Sequence, residues 1–98
     1  MTVEQLEKFI ADTLKTNKNL ETLDLSRKEL HELTPKIKSF GHLTALNLYD
    51  NKLVTLPPDL GDLKHLRELG LSENKLTSLP KTIGNLTNLT LLDLRYNR

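Results

Sequence analysis

Residues 66–76 read LRELGLSENKL, and the spacing of the leucines in this stretch decides the fold. Successive leucines lie three, two and five positions apart, and one asparagine, Asn74, precedes the last of them. A helix requires apolar residues three and four positions apart, whereas a half-buried strand requires every second residue to be apolar. The stretch follows neither rule over its whole length. It therefore predicts a very short strand that leads directly into a turn.

The same pattern recurs along the chain with a fixed period. Matching stretches read LETLDLSRKEL at 20–30, LTALNLYDNKL at 43–53 and LTLLDLRYN at 89–97, so that successive first leucines are 23 residues apart. The connecting segments also match each other, with LVTLPPDLGDLKHL at 53–66 and LTSLPKTIGNLTNL at 76–89. A fixed period of about 20 to 29 residues with these leucines indicates strand-and-turn units stacked in a row.

On these residues the chain resembles leucine-rich-repeat proteins with 23-residue repeats. Intracellular signalling scaffolds such as the Ras suppressor and the plant intracellular Ras-group proteins are similar to it, as are many bacterial repeat proteins. The resemblance implies an α/β fold: a right-handed solenoid with a short-stranded parallel sheet on its concave face and an N-terminal capping helix. We expect the repeats to occupy residues 20–98 as about three and a half units. Their first residues are Leu20, Leu43, Leu66 and Leu89.

Each short strand is predicted to bury alternate residues. Leu69 and Leu71 should point into the core and Gly70 outward, because successive strand residues face opposite sides of a sheet. An asparagine follows the strand, where its side chain can bond the free backbone groups of neighbouring turns. We expect a ladder of such residues at Asn51, Asn74 and Asn97. The first repeat departs from the pattern, since Lys28 occupies this position.

Residues 1–19 are predicted to form a helical cap over the first repeat. Thr2 and Gln5 have the spacing of a capping box, so we expect a helix over residues 3–16. Asn17 and Asn19 are expected to close the segment, since asparagine tolerates the left-handed turn in which helices often end. The predicted apolar face consists of Leu6, Phe9, Ile10 and Leu14. A membrane-surface helix is the alternative, but the polar face has no excess of basic residues.

The sequence stops inside the fourth repeat, in the stretch LDLRYNR at 92–98. Without a sealing segment, apolar residues of this repeat would lie beside an unpaired strand edge. These residues are Ile83, Leu86, Leu89, Leu92 and Leu94. We therefore expect either a fragment of a longer repeat protein or a chain that self-associates through its uncapped C-terminal repeat.

The outward residues of the strands form the predicted concave face, which is the usual binding surface of such solenoids. The residues predicted to bind a partner are Asp24, Arg27, Asn47, Tyr49, Asp50, Arg67, Glu68, Ser72, Glu73, Asp93, Arg95 and Tyr96. With Glu21, the face carries six acidic and three basic residues, so its formal charge is −3 while the rest of the chain carries +4. We expect a protein partner with a basic patch. Tyr49, Tyr96 and Leu91 are the large outward residues. Aromatic residues often carry much of the energy of an interface, although strand tyrosines are often simply solvated.

Composition argues against several other classes of function. The formal net charge of +1 favours neither nucleic acid nor a membrane surface. There is no cysteine, so no thiolate metal site is predicted, and a cytoplasmic setting fits. The chain has neither a phosphate-binding glycine loop nor a serine within a glycine elbow, so no cofactor and no catalytic residue is predicted. His42 and His65 share one repeat position, but two histidines leave a zinc site short of ligands.

The sequence therefore predicts a non-enzymatic protein-interaction module or scaffold. The resemblance implies an intracellular signalling adaptor that binds its partner on the concave face. Two alternatives stay open. One is a structural fragment of a longer repeat protein that associates through its open C-terminal end. The other is a recruitment subdomain of a multidomain enzyme.

Overall fold

The computed structural model describes all 98 residues and contains one α-helix and four strands. Helix α1 spans Val3–Thr16. The strands are β1 Thr22–Asp24, β2 Ala45–Asn47, β3 Glu68–Gly70 and β4 Leu91–Asp93. All four are parallel and lie side by side in chain order. This arrangement confirms the predicted α/β repeat fold with a parallel sheet and an N-terminal helix.

The leucines of the repeats form one continuous core behind the sheet. The core contains 20 buried residues, of which 17 are leucine. Each strand residue pairs with the equivalent residue 23 positions later in the next strand, so that Leu46 lies beside Leu69. Leu69 and Leu71 are buried and Gly70 is partly exposed, as predicted. A repeated side-chain shape in a repeated backbone position gives one packing solution that serves every repeat.

Short 3₁₀ helices form the opposite side of the repeats. They span Pro35–Ser39, Pro58–Asp62 and Lys81–Asn85. A proline begins or directly precedes each of them. Proline suits this position because its φ is already fixed and its missing N–H would have had no helical partner.

Gly61 allows two of these 3₁₀ helices to pack closely. A Cβ atom added to Gly61 would lie 2.5 Å from the carbonyl oxygen of Thr82, which is far inside van der Waals contact. Gly84 holds the same repeat position one repeat later, and an added Cβ there would meet nothing within 4 Å. The two glycines thus form a matched pair with opposite surroundings.

We expect Gly61→Ala to destabilise the protein by about 1 to 3 kcal/mol, because the added methyl forces the backbone of neighbouring 3₁₀ helices apart. Gly84→Ala should change the free energy of unfolding by no more than about 0.5 kcal/mol. Urea denaturation followed by circular dichroism measures both values. Equal effects of the two substitutions would show that helix propensity, and not the close approach to Thr82, governs this position.

Buried asparagines tie neighbouring repeats together, as predicted. The Asn74 side chain accepts a hydrogen bond from the N–H of Leu53 at 3.1 Å. It donates to the carbonyl oxygens of Leu48 and Leu71 at 3.0 and 3.1 Å. Asn51 makes equivalent bonds one repeat earlier. Each side chain therefore satisfies backbone groups of its own repeat and of the preceding one.

The asparagine ladder has different side-chain bonds in the first and in the fourth repeat. Asn97 continues it in the fourth repeat, where its bonds are partly exposed to solvent. Lys28 has no equivalent side-chain bonds in the first repeat, and its N–H instead donates to Asn51 at 3.1 Å. The residue before each ladder position adopts a left-handed backbone, with φ between 55° and 60°. These residues are Arg27, Asp50, Glu73 and Tyr96.

Helix α1 closes the core at the first repeat. Its capping box is formed: Gln5 N–H donates to Thr2 Oγ1 at 3.1 Å, and Thr2 N–H donates to Gln5 Oε1 at 2.8 Å. Leu6 and Ile10 are buried within the same core as the repeat leucines. The helix is neither long nor apolar enough to cross a membrane, and the chain has no other helix that could.

A polar anchor fixes the helix against the first 3₁₀ helix. Thr34 Oγ1 donates to Glu7 Oε2 at 2.6 Å, and Lys36 Nζ lies 3.6 Å from the other carboxylate oxygen. Two expectations for the helix are wrong. Phe9 is 37% exposed, because the stripe that faces the core is narrower than the predicted apolar face. Asn17 caps the helix with φ −149°, so the helix does not end in a left-handed turn.

The fourth repeat is the least covered part of the core. Strand β4 pairs only with β3. Leu94 is exposed and Ile83, Leu89 and Leu92 are only partly buried. Leu86 is buried, in contrast to its predicted place among the uncovered residues.

Candidate interaction surface

The outer face of the sheet forms an open groove of about 360 Å³. Residues of all four strands line it, and the outward side chains of Ala45 and Leu91 are its apolar ones, since Leu23, Leu46 and Leu69 are buried in the core behind the sheet. We call this surface the concave groove. The charged residues that line it are Asp24, Glu68 and Asp93, and no basic residue lines it. The groove is therefore acidic.

Three of the predicted partner-binding residues hold the turn that follows their own strand. Asp24 Oδ1 accepts a hydrogen bond from Ser26 N–H at 2.9 Å. Asn47 Oδ1 accepts from Tyr49 N–H at 3.0 Å. An acidic or amide side chain that bonds the N–H two residues later stabilises a turn. The sequence pattern alone did not predict this role, although an Asp or Asn holds this position in three of the four repeats.

Asp93 is the third residue of this kind, and it also binds a side chain. Its Oδ1 accepts from Arg95 N–H at 3.1 Å and from Arg95 Nε at 3.0 Å, and its Oδ2 lies 2.8 Å from Arg95 Nη2. The Arg95 side chain and backbone N–H lower the pKa of Asp93, and the carboxylate in turn raises the pKa of Arg95. Hydrogen bonds from the side chain and the backbone of Ser26 likewise lower the pKa of Asp24. Both carboxyl groups are thus held in their charged form.

Tyr49 and Arg27 form a second feature at the side of the sheet where the strands end. The Arg27 guanidinium carbon lies 5.3 Å from the centre of the Tyr49 ring, and Arg27 Nε lies 3.8 Å from Asp50 Oδ2. Tyr49 is half-buried, whereas Tyr96 is 73% exposed. The two tyrosines therefore differ: the ring of Tyr49 is held by a cation–π contact and that of Tyr96 lies in solvent.

One predicted partner-binding residue is not available at the surface. Ser72 is only 8% exposed, because its short side chain lies between the larger Tyr49 and Arg95 of the neighbouring repeats. Its outward side chain is thus almost covered, and its role in partner binding stays a prediction. The predicted residues Arg67, Glu68 and Glu73 are exposed.

A second, fully polar groove of about 310 Å³ borders the opposite ends of the strands. His42, His65 and Arg67 line it together with the turn asparagines. Asn88 Nδ2 donates to the carbonyl oxygen of Lys64 at 2.9 Å, so its side chain bonds the turn of the preceding repeat. Nowhere does the structure bring together three or more His, Cys, Asp or Glu side chains that could hold a metal ion.

Comparison with known proteins supports the interpretation of the repeats. The family model of the leucine rich repeat matches residues 18–72 and, in an overlapping match, residues 41–98. The chain belongs to the leucine-rich-repeat family. Leucine-rich-repeat domains commonly mediate protein–protein interaction, and domains of this family are typically not enzymes.

A solved structure of a leucine-rich-repeat protein from Leptospira interrogans is similar to the whole of this leucine-rich-repeat chain. The two share 28% sequence identity, and their structures match with a TM-score of 0.75. The match covers 100% of this chain and 36% of that one, so this chain spans about a third of the length of the Leptospira protein. A comparison with curated proteins finds no match.

Proposed function

We propose that this leucine-rich-repeat chain is a non-enzymatic interaction module that binds a protein partner in the concave groove. The observation that carries the proposal is the groove itself. Four parallel strands in whole-repeat register set their outward side chains in rows across one open surface. Strands in a sheet lie about 4.8 Å apart, so neighbouring rows are close enough for one partner segment to contact several repeats.

The rigidity of this surface supports a binding role. The asparagine ladder fixes the backbone that follows the strands. Asp24, Asn47 and Asp93 fix the turns after β1, β2 and β4. A binding surface that is ordered before it meets its partner loses little conformational entropy on binding. The same hydrogen bonds that complete the fold therefore preorganise the groove.

A finer proposal follows from the resemblance to intracellular scaffolds. We infer that the chain acts as a cytoplasmic signalling adaptor whose partner carries a basic patch. The acidic lining of the concave groove supports the basic patch. The adaptor role rests on the similarity of the repeats alone. One fold can serve many unrelated functions, so this part of the proposal is an analogy.

Self-association is the second candidate function. It is favoured by the fourth repeat, where Leu94 and Tyr96 are exposed beside the unpaired edge of β4. An uncovered strand edge with apolar neighbours is a template for pairing with another chain. Within the chain, each of the first three repeats is covered by the repeat that follows it. A second copy of the chain would cover the fourth repeat in the same way.

A pull-down from native cell extract tests the two candidates together. The double variant Tyr49→Ala, Glu73→Lys changes the surface around the concave groove, and we expect it to lose a partner that the original chain captures. The matched control Val54→Ala, Asp62→Lys makes similar changes at exposed positions outside the sheet, and it should retain that partner. Circular dichroism checks that both variants fold. Recovery of the same proteins by all three chains would refute the concave groove, and recovery of the chain alone would point to self-association.

A further inference from the structure

A glycine interrupts the row of residues along the middle of the concave groove. Strand pairing places Gly70 between Asn47 and Asp93. Both neighbours carry side chains that stand up from the sheet and bond their own turns. Gly70 has no side chain of its own and lines the concave groove, so the groove reaches its backbone there, and we call this position the Gly70 notch. Asn47 closes one side of the notch, because a Cβ atom added to Gly70 would lie 3.1 Å from Asn47 Oδ1.

A charged and an apolar side chain lie beside this notch, two residues earlier along β3 and β4. Glu68 lies two residues before Gly70 on the same face of β3, a distance of about 6.6 Å along a strand. Glu68 is exposed and makes no ion pair within the chain. Leu91 is paired beside Glu68 on β4 and is 55% exposed. An unpaired carboxylate therefore lies next to an uncovered aliphatic side chain.

No cation of the chain itself occupies the groove. Arg95 follows β4 by two residues, but its guanidinium is held by two bonds to Asp93. Arg67 precedes Glu68 in the sequence and lines the second, polar groove instead. The charge of Asp93 is thus balanced, whereas that of Glu68 is not.

Resting on the proposed function, we propose that the Gly70 notch receives a lysine or arginine side chain from an extended basic segment of the partner protein. The methylene stem of that side chain lies against Leu91, and its charged end pairs with Glu68. Lysine and arginine have this dual character, with an apolar stem that packs and a charged head that stays near water. The chemistry of the notch thus specifies one side chain of the partner, and the acidic lining of the groove favours basic residues around it.

A random twelve-residue peptide library displayed on phage provides the probe. We expect peptides selected by the original chain to be enriched in lysine and arginine. Their affinity should fall by about tenfold in Glu68→Gln, which removes the charge and keeps the shape, and it should fall as salt is raised. The control Glu4→Gln removes another exposed charge, on α1, and should leave the affinity unchanged. A larger side chain in the notch, Gly70→Val, should weaken the same peptides, after circular dichroism has confirmed its fold.

The outcomes separate this inference from the proposed function. Peptides that lose affinity with Tyr49→Ala but contain no excess of basic residues, or that bind Glu68→Gln as well as the original chain, would overturn the notch and leave the binding module intact. Selected peptides that bind every groove variant equally would overturn both. Failure to select any peptide would also overturn both. Enrichment of basic peptides with a selective loss in Glu68→Gln supports both together.

Discussion

Deletion of residues 1–18 is expected to abolish the cooperative unfolding of the protein. The deletion removes Leu6 and Ile10, which belong to the same core as the leucines of the repeats. Removal of one such side chain typically costs about 2 to 5 kcal/mol, and the whole stability of a small domain is about 5 to 15 kcal/mol. The deletion also breaks the anchor between Glu7 and Thr34. Thermal unfolding followed by circular dichroism measures the effect.

Two point variants show whether the helix acts through its buried stripe. Ile10→Ala should lower the free energy of unfolding by about 2 to 5 kcal/mol, since Ile10 is 2% exposed. Phe9→Ala removes a larger side chain, but the exposed position of that ring should limit the loss to about 1 kcal/mol. A truncated chain that melts at the temperature of the full chain would contradict the capping role of α1.

The second large effect is expected for Asn74→Leu. The substitution leaves the N–H of Leu53 and the carbonyl groups of Leu48 and Leu71 without their side-chain partner. A buried polar group that loses its hydrogen bond costs about 1 to 3 kcal/mol. Because three such groups are affected, we expect a loss near the top of that range. The midpoint of urea unfolding reports it.

Asn97→Leu is the matched control for this substitution. Asn97 makes the same kind of bonds in the fourth repeat, but water reaches several of them. Solvent can replace the lost partners there, so its effect should be clearly smaller. If both variants unfold at the urea concentration of the original chain, the asparagine ladder does not stabilise the repeats.

The repeat period was enough to predict most of the fold. Because each repeat packs only against its neighbours, a period of 23 residues determines the strands, their register and the inward leucines together. The capping box was also visible, since Thr2 and Gln5 are close in sequence. Local and periodic signals suffice where the contacts themselves are local or periodic.

The features that the sequence did not predict depend on contacts between particular neighbours. The burial of Ser72 follows from the size of the side chains beside it in the next repeats. Phe9 is exposed because α1 buries only the narrow stripe of Leu6 and Ile10, and the apolar pattern of the helix does not determine the width of that stripe. The need for Gly61 arises only where Thr82 approaches it. Each of these features depends on which side chain lies beside the residue in the next repeat or helix. The repeat pattern specifies only the type of residue that usually occupies that place.

The predicted binding residues fall into two groups: those whose side chains bond the following turn and those whose side chains do not. Asp24, Asn47 and Asp93 were predicted as ligands of a partner from their outward position alone. Their bonds to the following turns show that they also have a structural role, so their substitution would alter the fold as well as the surface. Glu68 and Glu73 have no such bonds and are better positions for testing binding.

The affinity of the captured partner for the two double variants tests the central claim most directly. Isothermal titration calorimetry with the purified partner gives the dissociation constants. We expect binding to Tyr49→Ala, Glu73→Lys to be weaker by about tenfold or more, and binding to Val54→Ala, Asp62→Lys to match the original chain. Equal affinities for all three chains, with all three folded, would contradict the claim that the concave groove binds the partner.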